Sequence, residues 1–199
     1  HAHPTISEVF LEAGFDADRH SQRYRNAAIE NYYETIRSLA ASGYRVIRLG
    51  DRSMTRLPDF GPAVMDRAIA PVAADSVMTG GFDEACAIMR SDLFICMASG
   101  PYSIATAVGT PALLTNATVT WHAFSPNPQD LVVFRKYRLA KSLQPMSFSE
   151  IGHHPVFDRI DGYSPDRLGV EIEQNGPELI HAATAEMHDK VNERPVAGI

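Results

Sequence analysis

The sequence predicts an α/β fold, a parallel sheet flanked by helices, on three observations. Short apolar runs alternate with segments of helical periodicity along much of the chain. The run Leu93 to Ala98 is almost continuously apolar, as a strand buried on both faces must be. A helix-length segment joins that run to the next, Thr110 to Thr115, as a parallel crossover requires.

Within this strand-helix-strand unit, Ser99-Gly100-Pro101 supplies the turn. Ser99 suits an N-cap, Pro101 suits the first helical turn, and Gly109 with Pro111 stops the helix. Tyr102, Ile104, Ala105 and Val108 give the helix its apolar surface. The carboxyl end of such a strand faces the helix N-terminus, where backbone N–H groups and the helix dipole favour an anion. Gly100 lets a ligand approach the backbone, and Ser99 and Ser103 add hydroxyl donors. The same residues also fit a plain tight connection capped by its own serine, and spacing alone leaves both readings open.

The remaining elements follow in order. Residues 1–21 are a poorly patterned lead-in, in which Ile6, Val9, Phe10 and Leu11 suit a short strand or a turn of helix. Apolar spacing at Ile29, Tyr32, Tyr33, Ile36, Leu39 and Ala40 predicts a helix from Ala27 to Ala41, ended by Ser42-Gly43. Tyr44 to Leu49 reads as a strand, with Gly50-Asp51-Arg52-Ser53 at its carboxyl end, the edge where ligands of open α/β sheets collect. Arg48, Asp51 and Ser53 are therefore site candidates, with a solvated loop or surface ion pair as the plain alternative.

Residues 57–64 read as irregular, and Val64 to Ala74 as holding a further short strand or helix. Gly80-Gly81 opens a turn before an amphipathic helix, Phe82 to Arg90. After Asn116, Trp121, Phe124, Pro126 and Pro128 read as loop, and Leu131 to Phe134 as a short strand. Ser147-Phe148-Ser149-Glu150 has capping-box spacing, and Asn175-Gly176-Pro177 begins a last helix running to Asn192, with 193–199 a frayed tail. No repeat or linker divides the chain, so 1–199 reads as one domain.

Composition excludes several function classes. With 18 basic and 24 acidic residues the formal charge is −6, which argues against a general nucleic-acid surface. No run is long and apolar enough to span a bilayer and no leader pattern is visible, so a cytoplasmic protein is expected. Cys86 and Cys96 lie in apolar segments and read as buried thiols. His153 and His154 adjoin a proline without a third ligand at helical spacing, and read as surface residues. Walker, Gly-x-Gly-x-x-Gly, zinc-ligand, Gly-x-Ser-x-Gly and Cys-x-x-Cys patterns are absent, which weakens ATPase, NAD-dependent, hydrolase and redox readings.

Three segments together resemble a family of bacterial glycosyltransferases. They are Arg25-Asn26-Ala27-Ala28-Ile29-Glu30-Asn31-Tyr32, the run Val46 to Pro58, and Ser99-Gly100 followed by Gly109-Thr110-Pro111; the resemblance extends from about Gly14 to Met187. The Ser-Gly turn is shared widely among enzymes of two Rossmann-like domains (GT-B), heptosyltransferases included. The resemblance implies a Rossmann-like domain similar to the C-terminal, donor-binding half of such an enzyme, with the acceptor held by an N-terminal domain or a partner chain. It implies that Ser99, Gly100, Pro101 and the amides through Tyr102 and Ser103 hold the donor diphosphate, with Arg48, Gly50, Asp51 and Ser53 on the neighbouring loop. Arg25 and Asn26 would face the cleft.

No cofactor or metal is implied, since a nucleotide sugar is the substrate and arginine would offset the charge on the leaving diphosphate. The sequence departs from the family pattern twice. Val9 and Leu11 stand where a His-x-Arg strand is usual, before the Ala13-Gly14-Phe15 that replaces Pro-Gly-Phe; and Ala98 and Ser103 stand where a heptosyltransferase-type turn has Asp and His. Glycosyl transfer from a nucleoside-diphosphate sugar to an unknown acceptor is the function expected. A non-catalytic nucleotide-sugar-binding or scaffold module is the first alternative. A sugar-nucleotide epimerase is the second, with Asp51 and Glu30 as its only candidate carboxylates.

Overall fold

The structure is a computed structural model that describes residues 8–11, 27–50, 54–67, 81–118, 127–142, 144–157 and 165–193. The apolar cluster of the lead-in forms β1 (Glu8–Leu11), which lies inside the sheet. It pairs in parallel with β2 (Arg45–Arg48) on one side and β4 (Leu93–Cys96) on the other. With β3 (Val64–Asp66), β5 (Ala112–Ala117) and β6 (Leu131–Phe134), the sheet has six strands in the order β3-β2-β1-β4-β5-β6. Each pairing is parallel. This is the order of a doubly wound sheet, with its reversal of direction between β1 and β4.

Side-chain alternation along the strands divides the core in two. Val46, Leu93, Ile95, Met97 and Leu113 face a 3₁₀ turn (Ile29–Tyr32), α1 (Tyr33–Ala41) and α5 (Pro177–Asn192). Ile47, Phe94, Cys96, Ala112 and Leu114 face α2 (Gly81–Arg90) and α3 (Gly100–Val108). Every residue of β4 and β5 is buried, which is why these strands read as unbroken apolar runs rather than as alternating ones. Each large side chain fully buried in this way contributes about 1.5–3 kcal/mol.

Three expectations are refined. The helix expected over 27–41 is split, opening as the tight 3₁₀ turn and becoming α-helical only at Tyr33. The segment at Val64 is a strand of three residues, and 68–80 lie outside the described residues. An antiparallel pair, β7 (Lys136–Leu139) with β8 (Val170–Glu173), was not expected at all. Its strands alternate polar and apolar, so one face covers a small separate core of Tyr137, Ile151 and Val170, packed with Phe134 and Met146.

Against that core lies α4 (Phe148–His153), and its capping box is complete. The Glu150 N–H donates to Ser147 Oγ at 3.2 Å, and the Ser147 N–H donates to Glu150 Oε2 at 2.7 Å. Neither cysteine is in a disulfide; Cys96 is buried and Cys86 only half-buried. Among the described residues no helix is long and apolar enough to cross a membrane.

Candidate functional site

The strand order reverses between β1 and β4, the place where ligands of doubly wound sheets collect, and the turn from β4 into α3 lies at the carboxyl edge there. Ser99 occupies the N-cap position of α3 with extended backbone (φ −147°, ψ 176°), and Pro101 sits in the first turn as expected. The serine hydroxyl does not cap the helix, however. It donates backward to the Met97 carbonyl at 3.2 Å, so no first-turn amide is occupied by the Ser99 side chain. The turn is therefore not closed by a bond from the serine side chain to the helix.

The turn also opens outward. A Cβ built on Gly100 would meet no atom of the described residues within 4 Å, and Ser103, one turn into the helix, is exposed. Tyr102 points the other way and is buried with Ala105 in the core shared with β4 and β5. At its far end α3 stops on Gly109 in the left-handed conformation (φ 77°).

Arg48 ends β2 with its side chain wholly buried. Its Nη1 donates to the Thr55 carbonyl at 2.6 Å and reaches Asp66 Oδ2 of β3 at 3.3 Å. The same Asp66 oxygen accepts the Leu57 N–H at 2.9 Å. Arg48 thus ties Thr55, within the loop that follows β2, to Asp66 on β3. Gly50 lies half-buried at the start of that loop. Asp51 and Ser53, and likewise Arg25 and Asn26, lie outside the described residues. Arg56, Leu57, Phe60, Met65 and Asp66 line a groove of about 550 Å³. It sits at β3, three strands from β4, and has no part in the Ser99 turn.

A second set of residues at the same sheet edge was not anticipated from sequence. Asn116, near the end of β5, is buried with φ 52°, a left-handed backbone that asparagine tolerates better than most residues. It exchanges reciprocal bonds with Asn175 just before α5: its N–H to Asn175 Oδ1 at 2.5 Å, and the Asn175 N–H to its Oδ1 at 2.8 Å. Its carbonyl accepts from Arg135 Nε at 3.1 Å, and its Nδ2 donates to the Tyr32 hydroxyl at 3.0 Å.

Tyr32 is fully buried, 2.7 Å from Thr115 Oγ1, and Thr115 Oγ1 donates to the Cys96 carbonyl at 3.1 Å. Burial pushes the Tyr32 phenol up to about 12, its hydrogen bonds to Thr115 and Asn116 only partly offsetting the desolvation, so it is a neutral donor at ordinary pH. Burial pulls the Arg135 guanidinium down to about 10, which leaves it charged at neutral pH. The one sequence signal for this cluster was the pair Thr115-Asn116 interrupting an apolar strand.

His153 and His154 make local bonds, to the Ser149 carbonyl and from the Val156 N–H. Among the described residues no group of three or more His, Cys, Asp or Glu is placed to hold a metal ion.

The fold is that of a doubly wound α/β protein, with the β4–α3 turn at the carboxyl edge beside the point where the strand order reverses. The chain is similar in structure to a glycosyl transferase family 9 protein from Veillonella parvula DSM 2008, with a TM-score of 0.53 and 14% sequence identity. The similarity covers 96% of this chain and 47% of that protein, so the chain spans about half its length. At that identity the likeness establishes the fold. No protein-family model matches the chain, and no curated protein sequence does.

Proposed function

We propose that this chain is the donor-binding half of a glycosyltransferase. In this reading it holds a nucleoside-diphosphate sugar for transfer to an acceptor bound by an N-terminal half or partner chain. The observation that carries the reading is the α3 N-terminus, which stands at the carboxyl edge beside the strand-order reversal while the Ser99 hydroxyl bonds to the Met97 carbonyl. First-turn amides have no intrahelical acceptor, and the helix dipole makes that end a seat for a diphosphate. Open space over Gly100 leaves room for it, and Ser103 adds a hydroxyl donor. The fold shared with a glycosyltransferase supports the general class.

As the sugar's bond to the β-phosphate breaks, charge grows on the diphosphate, and fixed dipoles aimed at it lower the barrier. The sequence resemblance would add Arg25 and Asn26, with Asp51 and Ser53 from the segment after β2, to this site. The test is isothermal titration of the chain against UDP, GDP, ADP and CMP. One nucleoside diphosphate is expected to bind in the micromolar range. Gly100→Ala is expected to leave thermal stability unchanged, because its Cβ meets no described residue, and yet to weaken binding about tenfold or more by crowding the phosphate. Binding that Gly100→Ala and Ser103→Ala leave untouched would move the donor site away from this turn.

A further inference from the structure

We propose that Tyr32 is a positioning residue for the β4–α3 turn, holding the end of β4 through Thr115 so that the first turn of α3 is preset for its ligand. This rests on the donor-site reading above. Donor counting gives the chain of bonds one direction. Thr115 has a single hydroxyl hydrogen, and it goes to the Cys96 carbonyl. The bond between the two hydroxyls must then run from Tyr32 to Thr115, and the Tyr32 oxygen in turn accepts from Asn116 Nδ2.

Asn116 is the fixed point of this chain. Its N–H, its carbonyl and both polar atoms of its side chain are each engaged, by Asn175, Arg135 and Tyr32. Cys96 is the last residue of β4, and its carbonyl lies three residues before Ser99. Tyr32 and Thr115 are thus the two hydroxyls, in series, that link a fully engaged anchor on β5 to the backbone that launches the turn. It comes from the 3₁₀ turn after Ala27, and Asn31 of that same turn donates to the Asn175 carbonyl at 3.1 Å. The lead-in to α1, β4, β5 and the start of α5 are therefore tied at one edge of the sheet.

A merely stabilising role is separated by a matched control at the opposite edge. Thr110 Oγ1 donates to the Ile88 carbonyl at 2.9 Å, and Thr110 is as well buried, but it lies at the amino end of β5. Tyr32→Phe, Thr115→Val and Thr110→Val are compared in the full chain by melting temperature, by titration with UDP, GDP and ADP, and by amide hydrogen exchange over residues 97–103. All three variants are expected to lower the melting temperature.

Tyr32→Phe and Thr115→Val are expected to weaken nucleotide binding about fivefold, the worth of one hydrogen bond. They are also expected to speed exchange at 97–103 by about tenfold. Thr110→Val is expected to change neither by more than about twofold. Equal effects from the two edges, or normal binding and exchange in Tyr32→Phe, would overturn the proposal; should Tyr32→Phe fail to fold, Thr115→Val breaks the same chain one link on. If the unmodified protein binds none of the nucleotides, the donor reading fails by itself, and the exchange rates still decide whether Tyr32 holds the turn.

Discussion

Arg48 illustrates how burial alters what a residue can be asked to do. Its guanidinium is wholly buried and its Asp66 partner nearly so, and one Asp66 oxygen also receives the Leu57 N–H. Removing one member of such a pair leaves the other charge uncompensated. Arg48→Met is therefore expected to cost about 3–5 kcal/mol, and Arg48→Met with Asp66→Leu to recover much of that loss, measured by urea denaturation. If Arg48→Met were instead as stable as the parent and simply failed to bind nucleotide, Arg48 would be a ligand-binding group and not a brace. Its place at the carboxyl end of a β-branched strand marked it as a site candidate, but sequence position does not reveal whether a charge at a strand end turns outward or is met by the neighbouring strand.

At the scale of the element, local chemistry governed wherever the partners are close in sequence. The capping box at Ser147 and Glu150 spans three residues and formed as its spacing required. The Ser147 backbone N–H, and then its hydroxyl, hold the Glu150 carboxyl below the usual carboxylate range. Because the folded value is depressed, the stabilisation is present above the unfolded value and is lost as pH falls through the folded one. Glu150→Gln should therefore lose less stability than the parent between about pH 7 and about pH 3, as read from denaturation midpoints. Ser147→Ala should cost about 1 kcal/mol at neutral pH. A parent and a Glu150→Gln variant with parallel pH profiles would count against the box.

The antiparallel pair β7 and β8 went unread for the opposite reason. Its strands are four residues each and separated by the whole of α4, so neither has a local signal that survives without its partner.

For the whole molecule, the sheet order puts the reversal point between β1 and β4, and the proposed donor turn stands beside it. The chain matches about half of a solved glycosyltransferase family 9 protein. A donor half is expected to bind nucleotide by itself and to release sugar only when an acceptor half closes over it. The measurement is the release of free nucleoside diphosphate from UDP-, GDP- and ADP-sugars, with this chain alone and with a supplied acceptor domain. Turnover by this chain alone would overturn that division of labour, and binding without turnover in any combination would favour a nucleotide-sugar-binding module.

The sequence by itself determined the class of fold, the β4–α3 turn and most helices. Burial on both faces, capping and glycine stops are local or periodic signals, and a chain cannot satisfy them in many ways. Only the tertiary structure decided that the weak apolar cluster at Val9 to Leu11 is an interior strand, because that depends on β2 and β4 arriving on either side of it. It alone decided that Ser99 turns its hydroxyl back to Met97, that Arg48 faces Asp66, and that Tyr32, Asn116 and Asn175 meet. Asn116 and Asn175 are separated by more than a quarter of the chain, and their pairing is enforced by the cost of burying polar groups without hydrogen-bond partners, a force no local pattern records.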